Sequence, residues 1–253
     1  MKLNDLATAS KLAQEGVTLA RAITESPKAS RDDLYGLSVA LDRLGEIRVQ
    51  QGDTTAALAS LRESLVIRRR LAAEEPRNAS WQATMSVSLS IVAQLEAASR
   101  DVSAARAHYE ENLPTLEVLA VASPNIPNAQ RRLTRGFSEF ADLLMRIDSQ
   151  PAALQRYREG LEAAERAAAR FPTHYAVQRD HFVLLWTLAS IDSSGVSWQT
   201  VLAQLERMNE RVQGLLPFDV PFLEEARRRA AGKSERPREM ESELSRSSQG
   251  VKP

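Results

Sequence analysis

The chain has 253 residues, 33 basic and 33 acidic side chains that cancel, no cysteine, and 43% hydrophobic but 5% aromatic residues. The balanced charge gives no global pull towards nucleic acid or an anionic membrane. The missing thiols exclude disulfides, thiolate metal sites and a cysteine nucleophile. No apolar run reaches the length of a transmembrane helix, and the opening residues lack the apolar core of a signal peptide, so the expected address is the cytoplasm.

In chain order, residues 5–25 read as an amphipathic helix. A second helix is expected over 31–50, with Leu34, Leu37, Leu41, Leu44 and Ile47 at spacings of three and four. Gly52-Asp53 breaks it: a glycine suits the left-handed turn, and an aspartate caps the next helix. That helix covers 54–74, with Ala57, Leu58, Leu61, Leu65, Ile67 and Leu71 as its stripe, and Pro76 forbids its continuation. Further pairs follow at 80–98 and 102–122, and at 128–147 and 151–170. Pro114 should kink or interrupt the first of these pairs' second helix, and Ser149 with Pro151 should open the last. A worn pair is expected at 176–192 and 197–214, with Val201 and Met208 where small residues should stand, and then a short helix near 219–231.

These pairs recur with a period of 48 residues. The step carries Leu41-Asp42-Arg43-Leu44-Gly45 to Leu89-Ser90-Ile91-Val92-Ala93, then to Phe137-Ser138-Glu139-Phe140-Ala141 and Leu185-Trp186-Thr187-Leu188-Ala189. It also carries Ala57 to Ala105 and Ala153, Leu61 to Tyr109 and Tyr157, and Pro76 to Pro124 and Pro172. A fixed period of this size marks a stacked repeat. The organisation read from it is one repeat domain over 1–231: a lone helix at 5–25, repeats at about 29–76, 77–124 and 125–172, a degenerate copy at 173–214 and a cap at 215–231. Residues 232–253 are polar and are expected to be disordered.

The order of bulky and small positions resembles the tetratricopeptide repeat. Leu41, Leu44, Gly45, Ala57, Leu61 and Ser64 follow it in the first copy. Leu89, Val92, Ala93, Ala105, Tyr109 and Asn112 do so in the second, and Phe137, Phe140, Ala141, Ala153, Tyr157 and Gly160 in the third. The usual unit has about 34 residues; the excess here is close to four helical turns, which leaves the buried face unchanged. The variant is similar to long-helix arrays of bacterial signalling and defence proteins. The resemblance implies an all-α right-handed solenoid of antiparallel helix hairpins and a non-enzymatic scaffold or adaptor that binds a protein or peptide on its concave face. The alternative is a regulatory or sensor module that controls an attached or associated effector.

Carried over column by column, the resemblance selects Val39, Asp42, Glu46 and Gln50, then Ser90 and Gln94, then Arg135, Ser138, Asp142 and Arg146, and finally Trp186. Trp186 could instead pack against the last helices. Asp42 and Glu46 make one end of this lining acidic, so a basic partner segment is expected there. The lone helix 5–25, with Leu6, Leu12, Val17, Leu19, Ala20 and Ile23, could take an upstream domain or a second copy of the chain.

Sites for chemistry are not apparent. His174 and His181 lie seven apart with no further ligand at a helical spacing, and no zinc-protease, phosphate-loop or nucleophile-elbow motif occurs. No metal, cofactor, nucleic-acid or membrane partner is expected. The runs Arg68-Arg69-Arg70, Arg131-Arg132 and Arg227-Arg228-Arg229 read as solvated faces paired with nearby glutamates.

Overall fold

The structure is a computed structural model that describes residues 3–147, 149–211 and 214–232. The expected disorder of the tail falls, Gly232 aside, outside these residues. Among them are ten α-helices and no strand: α1 (Leu3–Thr24), α2 (Arg31–Gln50), α3 (Thr54–Glu74), α4 (Ala79–Ala98), α5 (Val102–Ala122), α6 (Pro127–Arg146), α7 (Gln150–Arg170), α8 (Tyr175–Ala189), α9 (Trp198–Arg211) and α10 (Val220–Ala230). The fold is an all-α helical repeat of antiparallel hairpins, of the α-solenoid class. It divides into two compact units, 1–119 and 120–253.

The period of 48 is written into the helix ends. Helices α2, α4, α6 and α8, the first helix of each pair, start after Ser30, Asn78, Ile126 and His174. Ser30 forms a capping box with Asp33, Asn78 accepts from two backbone N–H groups, and the His174 ring accepts from Val177. Ile126 has no side-chain bond to offer, and Pro127 at the first helical position removes one of the donors that would need it. The second helices open with Asp53, Asp101 and Ser197, which accept from Ala56, Ala104 and Thr200. Ser149 stands at the same point but makes no side-chain cap, so there the start rests on Pro151.

One turn recurs between the members of the first three pairs. The N–H of Asp53 donates to Arg48, that of Asp101 to Glu96, and that of Ser149 to Leu144. The residue before the first two aspartates is left-handed: Gly52 at φ +81° and, at the same place, Arg100 at φ +65°.

A second recurrent bond joins each pair to the next, and the sequence reading missed it. Gln82, Gln130 and Gln178 lie 48 residues apart, and each Nε2 donates twice to main-chain oxygens. The first of these acceptors are Ala72, Ala120 and Ala168, themselves 48 apart, near the end of the preceding helix. Those carbonyls have no partner further along their own helix, so the glutamine satisfies a need every helix end has.

Two expectations on helices need correction. α5 runs unbroken through Pro114, whose place on the exposed side lets water serve the carbonyl that loses its donor. α8 stops at Ala189, three residues early, and a short 3-10 turn, Asp192–Ser194, follows it. Val201 and Met208 fill the positions of small residues because α9 packs on bulky neighbours. Both are buried with Phe182, Leu185, Trp186, Leu205, Phe222 and Leu223 in the core of the second unit. In the first unit the cores are Val17 with Leu37, Leu41 and Leu44, and Leu58, Leu61 and Leu65 with Leu89 and Val92.

Candidate binding surface

In a hairpin array the residues open to a partner are those that the packing of each first helix leaves outside. Taken at 48-residue intervals, the candidate positions fall into columns with distinct fates. Glu46, Gln94 and Asp142 form one column, and all three are exposed. Gln50 and Arg146 are exposed in a second, and Val39 in a third, where Arg135 is half-buried. Asp42, Ser90, Ser138 and Trp186 form the fourth. The first three are half-buried, and Trp186 is 1% exposed.

The fourth column points towards neighbouring helices, and Asp42 and Ser90 are engaged there. Asp42 is ion-paired with the buried Arg68 of α3. Burial holds its carboxyl above the usual carboxylate range, against the opposing pull of hydrogen bonding to Ser64 and of Arg68. Ser90 accepts from Asn112 Nδ2 at 2.9 Å. Trp186 makes edge-on contacts with Phe182, Trp198 and Phe222, so it belongs to the core and is withdrawn from the lining. With Asp42 spent inside and Glu46 paired with Arg43 at 2.8 Å, the acidic end expected on α2 is absent. Arg43 lies on the same outward stripe as Val39, Glu46 and Gln50, and makes it mixed in charge.

On α6, Asp142 accepts from the Tyr157 hydroxyl of α7, and burial together with this carboxylate pushes the phenol up. Arg135 reaches Asp180 of α8 at 3.5 Å, and Arg131 binds the same carboxylate at 2.6 Å. Arg146 and Arg132 are exposed.

The arginine runs are solvated and glutamate-paired at Arg70, Arg227 and Arg228, as the sequence suggested, but each run has one member drawn inside: Arg68, Arg131 and Arg229. Arg68 is buried: it donates to Ser38 Oγ at 3.1 Å, Ser88 Oγ at 2.7 Å and the Thr84 carbonyl, which binds α3 to both α2 and α4. Glu96 is fully buried between Arg62 at 2.8 Å and His108 Nδ1 at 2.7 Å. In the second unit, Arg179 and Asp219 form a buried pair joined by the Tyr175 hydroxyl. Arg229, held by Glu225, lies 4.3 Å from the Trp198 ring centre. Each buried charge has a partner, as the cost of desolvation requires. His181 differs, because it is buried and neither ring nitrogen has a hydrogen-bond partner.

Among the described residues no group of three or more His, Asp or Glu side chains could hold a metal ion, and no helix is long and apolar enough to cross a membrane. No protein-family model and no curated protein matches the sequence. Solved structures do match. BtubC (BKLC) from P. vanneervenii superposes with a TM-score of 0.57 at 19% identity, covering 98% of this chain and 94% of that one. The likeness is one of fold. MamA MSR-1 C2 aligns at 17% identity over 78% of this chain and 92% of its own, with a TM-score of 0.39. The TPR2AB domain of yeast Sti1, in a complex with pHSP90, aligns at 12% identity over 94% and 99%, with a TM-score of 0.25.

Proposed function

We propose that this chain is a non-catalytic scaffold that binds segments of protein or peptide along the outward stripes of its first helices. In the first unit the stripe comprises Val39, Arg43, Glu46 and Gln50 on α2 with Gln94 on α4. In the second, Asp142 and Arg146 hold the equivalent positions on α6. The observation that carries the reading is the column Glu46, Gln94 and Asp142, exposed in each of the three regular repeats on helices that bury their opposite faces. Function concentrates on such surfaces in stacked repeats, because the repeated core leaves them free to vary. The side chains there are of both signs, which suits a polar segment of mixed charge better than a polyanion.

A photo-reactive amino acid placed at Gln50, Gln94 or Arg146 tests this in cells. The expected result is cross-linking to a discrete protein from these positions, lost when Glu46 and Gln94 are both changed to Arg for the first unit. Controls at Val66 and Arg166, exposed on the second helices α3 and α7, should give none. Equal cross-linking from the controls would refute the assignment of the surface.

A further inference from the structure

Helix α1 stands where the second helix of a pair stands. Its Val17 enters the core formed by Leu37, Leu41 and Leu44 of α2. Its Arg21 pairs with Glu63 of α3 at 2.6 Å, and the same bond recurs 48 residues on, between Arg69 of α3 and Glu111 of α5. On α3, the face formed by Ala57, Ser60, Leu61, Ser64, Ile67, Arg68 and Leu71 packs on α2, with Leu61 and Arg68 at its edge also meeting α4. Ser64 donates to the Ser38 carbonyl, Arg48 donates to Ser60, and a Cβ added to Gly45 would lie 2.7 Å from Leu61.

The same seven positions on α1 are Ala9, Leu12, Ala13, Gly16, Leu19, Ala20 and Ile23, every one of them apolar or glycine. At about 100° per residue they fall in one sector of roughly 120°. Leu12, Leu19 and Ile23 are 61%, 68% and 54% exposed, and a Cβ on Gly16 would meet nothing within 4 Å. Beside them Glu15 occupies the place of Glu63 and Glu111. It is exposed, and among the described residues no arginine is bonded to it.

We infer that this face docks a pair of helices of the chain's own repeat type, the second of which carries an arginine free to meet Glu15. One helix lies antiparallel to α1, its apolar stripe on Leu12, Leu19 and Ile23. The other sets an arginine against Glu15, as Arg21 is set against Glu63. A second copy of the chain is not the occupant: the arginines of this type that it displays, Arg21 and Arg69, are already bound to Glu63 and Glu111. The open face of α1 is a different surface from the outward stripes, and its docking does not depend on theirs.

The chain itself supplies the probe. A copy of Asp53–Arg100, which contains α3 and α4, placed directly before Asp5 keeps the period at 48 residues and presents such a pair to α1 in its own geometry. Amide hydrogen exchange in α1 should slow at least tenfold in the fused protein. Leu12→Glu with Leu19→Glu should abolish the slowing, and Glu15→Lys should reduce it severalfold. In the unfused chain the two leucine changes should leave helix content intact, since both side chains are exposed. The unfused chain should sediment as a monomer. Exchange that fusion leaves unchanged would overturn the inference, as would slowing that survives both sets of changes. A dimer of the unfused chain that Leu19→Glu dissolves would overturn it in favour of self-association.

Discussion

Replacing His181 with leucine should remove a specific part of the protein's sensitivity to acid. His181 is buried on α8 with neither ring nitrogen bonded, and burial, assisted by the positive charge of Arg207 on α9, lowers its pKa from 6.5 to about 4. The folded protein therefore holds the ring neutral, while the unfolded chain takes up its proton as the pH falls through 6.5. Stability linked to this residue is complete above 6.5 and is lost as the pH falls towards 4, because only the unfolded state gains the proton in that window. A displacement from 6.5 to about 4 corresponds to a loss of about 3 kcal/mol at most. That would be a large share of the stability of an ordinary domain. The assay is urea unfolding at a series of pH values from 7.5 to 4, followed by circular dichroism and tryptophan fluorescence. Leucine leaves no polar nitrogen to desolvate, so the variant should match or exceed the parent at pH 7 and lose about 2–3 kcal/mol less by pH 4. Parallel losses in the two proteins would refute the reasoning.

Other outcomes follow from the repeated positions. Arg100→Gly should raise stability by about 0.5–1 kcal/mol, because a left-handed side chain costs more than the added freedom of glycine in the unfolded state. A rise in melting temperature of a few degrees would show it, and no rise would count against strain at this turn. Gly45→Ala should cost about 1–2 kcal/mol, since the new methyl group would press on Leu61, and the cost should shrink in a Leu61→Ala background. Denaturant midpoints of the four proteins would measure that coupling. Gln130→Ala should cost about 1 kcal/mol and speed amide exchange at the end of α5, because the Ala120 carbonyl loses its donor and the Ser123 carbonyl keeps only the Ile126 N–H. Exchange left unaltered there would deny the glutamine its role.

The helices were legible because their stripes follow the 3.6-residue turn and their ends are marked by Asp53, Asp101, Pro76 and Gly52, all local signals. The candidate surface was legible by column but not by member. Asp42 and Glu46 are alike in sequence and sit one turn apart on the same helix, yet one is drawn inside by Arg68 and the other faces water. That difference depends on α3, about 26 residues further along the chain, and no pattern within α2 contains it. Arg68 was misread for the same reason. A run of three arginines looks solvated until the hydroxyls of Ser38 and Ser88, from two other helices, are found around one of them. The glutamines at 82, 130 and 178 were present in the sequence at the right interval. Their role was hidden because they bind main-chain oxygen, which every residue possesses and no pattern of side chains marks.

That choice of acceptor has a consequence for how such a chain can change. A clasp that grips main-chain oxygen does not care which side chains the gripped helix carries. The gripped helix can therefore drift in sequence without loosening the joint, and a whole 48-residue unit can be duplicated or excised with its joint intact, because the hook travels with one unit and its eye is found on all of them.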